Sequence, residues 1–286
     1  MKVRRRRYGR MQVSVTVLVG LAIAAFGVIR YFVSSAHPPP AENDVALGLQ
    51  AAPSMIQQMG GEVSSSDPRA QLVSSVGQRL VSQIGQTPWR FQFHLLRDPQ
   101  TVNAFALPGG QIFITVALLE RLENEAQLAG VLGHEIGHVM ERHSTKQMAK
   151  NSLGQSLVTA VAVGTSDRND GMMASYAAQY ANQLLQLKYG RGDELQADDH
   201  GVTYMAKAGY DPRQMIGVME ILKRVSGGSR TPEFASTHPD PGNRAEQIKE
   251  QIQRQWPQGV PGNLSGGSAL RRGVPSGQAP AGRPTW

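Results

Sequence analysis

His134-Glu135-Ile136-Gly137-His138 is the stretch of sequence that decides the fold. The two histidines are four positions apart and share one face of a helix, so both imidazoles can bind one metal ion with Glu135 beside them. A catalytic zinc site needs a third protein ligand and keeps one position open for water. Because the chain contains no cysteine, that ligand must be a carboxylate or another histidine. The stretch therefore predicts a helix that carries a zinc site.

The residues around this stretch predict an α+β fold that is mostly α-helical. The helix is expected to begin with a capping box of Asn124 and Gln127, because apolar residues then recur at helical spacing as far as Val139. The hydrophobic pattern predicts two earlier helices and then two strands, at residues 45–59, 68–84, 89–95 and 111–115. The two strands indicate a small β-sheet beside the active-site helix.

The composition excludes several classes of protein. With 40% hydrophobic and 18% charged residues, the chain is not wholly disordered, collagen-like or a coiled coil. Its net charge of +7 comes from 29 basic and 22 acidic residues. Residues 1–36 hold seven of the basic groups and no acidic ones, which leaves 22 of each sign in the remainder. Since that remainder is neutral, the sequence predicts no nucleic-acid partner.

Residues 1–36 predict a membrane anchor. A basic cluster as far as Arg10 precedes an apolar run over residues 13–29, and about 20 residues span a bilayer. By the positive-inside rule, the chain is expected to cross the inner membrane once and to place its main domain in the periplasm or an equivalent compartment. A cleaved signal peptide, with small residues at Ser34 and Ala36, is the alternative. Both interpretations export the main domain.

Composition also divides the rest of the chain. A proline-rich spacer at residues 37–41 precedes one domain at 42–256. Residues 257–286 contain seven glycines, five prolines and no acidic residue, which predicts a disordered tail. Within the domain, the apolar stretch 153–163 is too short to span a membrane and is expected to be either a core helix or a lid over the cleft.

Four motifs in this order resemble one known family. The first is the metal-binding stretch, and the second is Tyr-Gly-Arg-Gly-Asp-Glu-Leu-Gln-Ala-Asp at residues 189–198. The others are Asn-Ala-Phe-Ala-Leu-Pro-Gly-Gly at 103–110, and Ser-Thr-His-Pro at 236–239 with Arg244. Together they resemble the gluzincin-type membrane zinc metallopeptidases that include HtpX, the CAAX prenyl proteases and the mitochondrial Oma-type proteases. The short length and single anchor resemble the exported bacterial or Oma-like members.

This resemblance implies a zincin-like fold and a zinc metalloendopeptidase that binds one Zn²⁺ per chain. It implies three metal ligands, which are His134, His138 and Glu194. Glu135 is expected to be the general base that takes a proton from the attacking water. Asp198 lies one helical turn after Glu194 and is expected to accept a hydrogen bond from the other ring nitrogen of His134 or His138.

His238 and Arg244 are the candidates for stabilising the tetrahedral intermediate. Two alternatives stay open. His238 could instead occupy the open zinc position in a resting state and act as a switch, or it could cap a loop while Arg244 pairs a carboxylate. The remaining histidines of the domain include His143 and His200, which are expected at solvated or capping positions, with His200 the better partner for a metal ligand.

The segment 103–115 is expected to present a strand edge to an extended substrate, since backbone pairing holds a peptide with little regard to its side chains. The expected substrate-binding residues are Asn103, Ala104, Phe105, Ala106, Gly109 and Gly110. An ordinary core hairpin is the alternative. Broad specificity would suit unfolded or misfolded proteins, so quality control of envelope proteins is the expected role. A chaperone or assembly factor with a latent, His238-gated site and a purely structural zinc domain are the other hypotheses, and the oligomeric state stays open.

Overall fold

The computed structural model describes residues 41–150, 181–226, 234, 237–238 and 241–270. The anchor expected in residues 1–36 and the apolar stretch 153–163 lie outside these ranges. Within the described ranges, no helix combines the length and the hydropathy needed to cross a bilayer.

The described residues confirm a mostly helical α+β fold with a small sheet. The helices are α1 Ala41–Gln58, α2 Pro68–Val81, α3 Val116–Leu119, α4 Glu125–Met140, α5 His143–Lys150, α6 Arg191–Lys207, α7 Gln214–Ser226 and α8 Pro241–Gln255. The strands are β1 Gln92–Leu96, β2 Ala104–Leu107 and β3 Gln111–Thr115, and a 3₁₀ turn at Pro108–Gly110 joins β2 to β3. Helix α4 contains the metal-binding stretch, and strand β3 has the bounds that its sequence predicts.

The sheet has the order β1-β3-β2, with β3 parallel to β1 and antiparallel to β2. Every residue of β3 is buried, because both faces of the sheet are covered. Ile112 and Ile114 point into the core that contains α2, α4 and α7, whereas Phe113 points into a second core under α1. Phe113 stacks between its cross-strand neighbours His94 and Phe105, at centroid distances of 4.6 Å and 5.0 Å. Strand β2 is left at an edge of the sheet.

Local signals fix the start of α2 better than its end. The Asp67 side chain accepts a hydrogen bond from Arg69 N at 2.8 Å, and Pro68 takes the first helical position, where no N–H is needed. The helix ends at Val81 and not at residue 84. Gln83 and Ile84, the last residues of the predicted helix, instead form a tighter turn, in which each backbone N–H bonds the carbonyl three residues earlier.

Helices α4 and α6 pack backbone against backbone. A Cβ atom at Gly133 would lie 3.2 Å from Gly201 Cα, and one at Gly137 would lie 2.9 Å from Ala197 Cα. Only glycine allows this approach on α4, so the faces of the two helices that bear charged side chains and histidines come together. This contact brings the two histidines of the metal-binding stretch to the acidic residues of α6.

We expect Gly137→Ala to lower the free energy of unfolding by about 1–3 kcal/mol, because the added methyl group overpacks the α4–α6 contact. Urea unfolding followed by circular dichroism measures this loss. Gly192→Ala on α6 is the matched control, since nothing lies within 4 Å of a Cβ atom at that position. Equal stability of the two variants would contradict the close-packing argument.

Residues 257–270 correct the expectation of a disordered tail. Their backbone pairs with two parts of the domain, through isolated bridges from Ala269 to Asn124 and from Ser265 to Tyr210. Ser268 O accepts from Glu125 N at 3.0 Å, and Gly266 O accepts from Ala126 N at 2.9 Å. These carbonyls satisfy N–H groups in the first turn of α4, which have no partner inside the helix. Composition missed this segment because its order comes from backbone pairing and not from its own apolar content.

A chain that ends at residue 256 is expected to unfold more easily than one that ends at residue 270. The N–H groups of Glu125 and Ala126 would lose their acceptors, and each lost hydrogen bond costs about 0.5–1.5 kcal/mol net. Urea unfolding of the two chains is measured at the same zinc concentration, because bound metal itself raises the free energy of unfolding. Coincident unfolding curves would show that the pairing contributes nothing to stability.

Candidate metal centre

The metal-binding stretch lies on the buried face of α4. Asn124 caps this helix, as expected, by accepting a hydrogen bond from Gln127 N at 2.9 Å. The capping box is completed differently from the expectation, because Gln127 Oε1 accepts from the backbone N of Glu123 and not of Asn124. His134, Glu135 and His138 follow two turns later and are each at most 2% exposed. The stretch is therefore held in the interior of the domain.

Four potential metal ligands converge in this interior: His134, His138, Glu194 and His238. One donor atom from each lies within 4.8 Å of the others. The Nε2 atoms of His134 and His138 are 3.0 Å apart. Glu194 places Oε2 at 3.6 Å from His134 Nε2 and Oε1 at 3.5 Å from His138 Nε2. The three predicted ligands thus come together, and a third histidine, His238, joins them as the fourth donor.

His134 has the outer partner that the sequence predicts. Its Nδ1 lies 2.9 Å from Asp198 Oδ1, one helical turn after Glu194 on α6. Since a carboxylate accepts this hydrogen bond, the ring proton of His134 sits on Nδ1 and the lone pair of Nε2 faces the cluster. Asp198 therefore orients His134.

Arg244 on α8 is engaged with two carboxylates. Its Nε donates to Asp198 Oδ2 at 2.9 Å, and its Nη1 lies 2.8 Å from Glu194 Oε2. The second contact lacks hydrogen-bond alignment and is an ion pair only. These contacts agree with the alternative expectation for Arg244, in which it pairs with a carboxylate and does not stabilise the tetrahedral intermediate. Through these contacts the guanidinium holds Glu194 and Asp198 of α6.

The centre contains buried polar atoms with no hydrogen-bond partner among the described residues. They include Glu135 Oε1 and Oε2, Glu194 Oε2, Arg244 Nη1 and His238 Nε2. His238 Nε2 lies 3.7 Å from Glu135 Oε1, too far for a hydrogen bond. Buried carboxylates without donors are costly unless a cation and water complete them. The unpaired oxygens and the inward-facing imidazole nitrogens together fit a divalent metal ion of the zinc type.

Burial and neighbouring charges set the protonation states that such a site needs. Burial raises the pKa of Glu135, which suits a group that takes up and returns a proton. Burial also lowers the pKa of His138 well below its ordinary value, so the ring is neutral and can donate a lone pair. Burial acts to raise the pKa of Glu194, but the charges of His238 and Arg244 outweigh it and hold that pKa well below the ordinary value. Glu194 is therefore an anion.

His238 is fixed by contacts on several sides. Its Nδ1 lies 3.0 Å from Glu194 Oε1 and 3.2 Å from His134 Nε2. Phe234 stacks on its ring at a centroid distance of 4.4 Å, and the N–H of Phe234 donates to Val102 O at 3.3 Å. His238 thus lies inside the donor cluster, and Phe234, four residues earlier, is bonded to Val102, two residues before β2. A place among the donors is compatible with either of the roles expected for His238 at the metal.

Strand β2 keeps an edge that no described strand occupies, so an extended substrate along Ala104, Phe105 and Ala106 stays a prediction. Phe105 is half-buried, and the two alanines are buried. Asn103 uses its own backbone N–H and carbonyl on Thr115 of β3, and its side-chain Oδ1 is buried without a partner in the part of the chain that is described.

The structure gives Gly109 and Gly110 a different role from the expected contact with substrate. Gly109 has φ of 80°, and a Cβ atom there would lie 2.3 Å from Val45 Cα of α1. A Cβ atom at Gly110 would lie 2.9 Å from the carbonyl carbon of Arg90. Both glycines are therefore enclosed by the backbone of this chain itself. They allow the 3₁₀ turn to pack under α1, which corrects the prediction.

Sequence reasoning missed His143. This residue is 1% exposed, and its Nδ1 lies 3.0 Å from Nδ1 of His138, whereas the sequence suggested a solvated or capping position. His200, the preferred candidate, contacts Glu141 near the surface instead. Tyr189, the first residue of the second motif, packs against the same ligand, with its ring centroid 4.0 Å from that of His138. The only signal for His143 was its proximity in sequence to the metal-binding stretch.

Comparison with known families identifies the site. The family described as peptidase family M48 matches residues 67–252, more than half of the 286 residues. The chain belongs to peptidase family M48. This M48 membership confirms the resemblance drawn from the four motifs and places the chain among the metallopeptidases. The matched residues include His134, Glu135, His138, Glu194 and His238.

Individual M48 relatives are similar over most of the chain. Mitochondrial metalloendopeptidase OMA1 of Schizosaccharomyces pombe is 30% identical over 241 residues, which cover 80% of this chain and 70% of that protein. Metalloprotease YcaL of Escherichia coli K12 is 28% identical over 194 residues, covering 68% and 74%. The β-barrel assembly-enhancing protease of Escherichia coli K12 is 30% identical over 219 residues, which cover 71% of this chain but 45% of that protein. The chain thus spans less than half of that relative.

Proposed function

We propose that this M48 chain is a metalloendopeptidase that binds one zinc ion through His134, His138 and Glu194. The observation that supports it best is the convergence of these donors with two unpaired carboxylate oxygens of Glu135 in a buried site. Two imidazoles and one carboxylate are the ligand set of a catalytic zinc site, which keeps a position for water.

In the proposed mechanism of peptide hydrolysis, each residue of the site has a separate role. A bound zinc ion would polarise the scissile carbonyl and make water a better nucleophile. Glu135 takes the proton of the attacking water and returns it to the leaving amine, and its raised pKa favours that transfer at neutral pH. Asp198 holds the ring of His134, and Arg244 holds Asp198 and Glu194 in place. His238 is proposed as the group that stabilises the developing oxyanion.

The proposed substrates are unfolded or misfolded proteins. An extended segment would add as a strand beside β2, where main-chain hydrogen bonds select an extended backbone and tolerate many side chains. The open edge at Ala104–Leu107 and the contact of β2 with α4 support this proposal.

We further propose that the protein acts in quality control of envelope proteins, anchored in the inner membrane by residues 1–36 with its catalytic domain on the periplasmic side. The basic, then apolar, sequence of residues 1–36 supports the anchor. One relative is named for enhancing β-barrel assembly, and another is named as a mitochondrial metalloendopeptidase. Both names are those of proteases, and the first supports a role in the assembly of other proteins.

Casein hydrolysis by the detergent-solubilised chain tests the proposed activity. We expect cleavage by protein that holds one zinc ion, loss of cleavage after chelation, and recovery on adding back zinc. Zinc content is determined on the same samples. Protein that contains zinc in an exchangeable site but never cuts an unfolded substrate would overturn the peptidase proposal.

A second candidate function is a chaperone or assembly factor with a latent zinc site. The observation that favours it is the place of His238 inside the donor cluster, 3.0 Å from Glu194. If His238 closes the site in the resting state, His238→Ala should raise basal casein hydrolysis; if His238 stabilises the oxyanion, the same variant should lose it. A purely structural zinc domain would keep four protein ligands in every state and show neither effect.

A further inference from the structure

His143 lies between His138 of the metal centre and Gln196 at the surface. Its Nδ1 is 3.0 Å from His138 Nδ1, and its Nε2 is 3.1 Å from Gln196 Oε1 on α6. The side chain is 1% exposed, so water does not compete for either nitrogen. A buried imidazole therefore connects one expected metal ligand to a side-chain amide.

The chemistry of imidazole fixes the direction of both hydrogen bonds. Nε2 of His138 faces the donor cluster, 3.5 Å from Glu194 Oε1, so a metal ion there would use the Nε2 lone pair and leave the ring proton on Nδ1. That Nδ1–H can donate only to an unprotonated Nδ1 of His143. His143 then carries its proton on Nε2 and donates it to the Gln196 oxygen. One tautomer of each ring satisfies both contacts.

We propose that His143 is a positioning residue for His138, which holds that ring in the Nδ1-protonated tautomer with Nε2 directed at the metal. This inference rests on the proposed zinc site. The two histidine ligands are then supported differently: His134 by the anionic Asp198, and His138 by a neutral imidazole. A neutral partner orients the ring without adding another negative charge to a centre that already contains Glu194 and Asp198.

The backbone explains how His143 reaches this place. On a continuous helix, a residue five positions after His138 would lie about 140° around the axis and could not contact it. The helix is interrupted at Arg142, which has φ of 56°, a conformation that non-glycine residues rarely adopt. Arg142 is held there by Asp44, which accepts from Nε at 2.8 Å and from Nη2 at 3.0 Å and is 1% exposed. The ion pair stabilises the turn that folds His143 back under the ligand.

Zinc affinity of the full chain in detergent, measured by competition with a chromophoric chelator, tests the proposal. We expect His143→Leu to raise the zinc dissociation constant by about 10–100-fold, the usual effect of losing the outer partner of a ligand. His143→Asn places an amide oxygen where Nδ1 was, the same number of bonds from Cβ, and is expected to stay within about threefold of the unsubstituted chain. His200→Leu is the matched control, because His200 contacts Glu141 and none of the four donors.

A dissociation constant for His143→Leu that equals that of His200→Leu would overturn the proposal. So would an asparagine variant as weak as the leucine variant, since the ring would then act by volume and not by hydrogen bonding. Nitrogen-15 NMR of the histidine-labelled chain gives a reading that needs no substitution. In the zinc-loaded chain we expect the proton of His143 on Nε2, and finding it on Nδ1 would overturn the assignment. Failure of the unsubstituted chain to bind zinc would refute the proposed function and this inference with it, whereas zinc binding that His143→Leu does not weaken would refute the inference alone.

Discussion

Glu135→Gln is expected to lower kcat/KM for casein hydrolysis by about 10²–10⁴-fold, the usual contribution of a general base. The substitution keeps the size of the side chain and removes its ability to take a proton. Glu135 is fully buried and lies outside the set of four convergent donors, so the variant should keep its zinc. Hydrolysis rate and zinc content measured on one preparation separate these two effects.

The control for this substitution is made at Glu141, the residue that follows the last residue of α4. Glu141→Gln removes an acid that is paired with His200 away from the centre, and it is expected to leave the hydrolysis rate unchanged. Undiminished activity in Glu135→Gln would refute the assigned base. Loss of zinc together with activity would show that Glu135 contributes to binding the metal.

Glu194→Gln is expected to weaken zinc binding by more than about 100-fold, because even the loss of an outer partner costs about 10–100-fold. Glu194 is the anion among the three proposed ligands, and an amide oxygen cannot replace its charge. The change also removes one of the two acidic partners of Arg244 and leaves Asp198. Competition with a chelator measures the affinity, and circular dichroism shows whether α6 is intact.

Asp199→Asn is the matched control on α6. Asp199 is exposed and accepts a hydrogen bond from Gln255 on α8 at 3.2 Å, so the loss of its charge should leave zinc affinity within about twofold. An effect as large as that of Glu194→Gln would mean that the general acidity of α6, and not direct ligation, attracts the metal.

The parts of the fold that the sequence predicts are those set by local chemistry. Pro68 after Asp67 marks the start of α2, and Asn124 marks the start of α4, because each signal acts within one helical turn. The contact between His134 and Asp198 was expected from helical spacing together with the family resemblance. Periodicity and capping therefore located the active-site helix and most of the cluster.

The parts that could not be predicted depend on contacts between distant segments. Gly109 faces Val45 of α1, and no local pattern shows that a helix will cover that turn. The place of His143 depends on a left-handed residue at Arg142, a conformation that its residue type does not suggest. The glycine-rich segment 257–270 is ordered because its backbone forms hydrogen bonds with the backbone of distant residues. In each case the partner, and not the residue itself, determines the structure.

The contact of the 257–270 segment with the first turn of α4 also has a consequence for the order of synthesis. Residues 266 and 268 supply carbonyls to Ala126 and Glu125, so the helix that bears the metal-binding stretch acquires these partners only after about 140 further residues have been synthesised. Arg244, which holds Glu194 and Asp198 of α6, is likewise synthesised after all the proposed ligands. A nascent chain that stops before residue 244 therefore has the histidines but neither support, and the centre is complete only after residue 268 has been added.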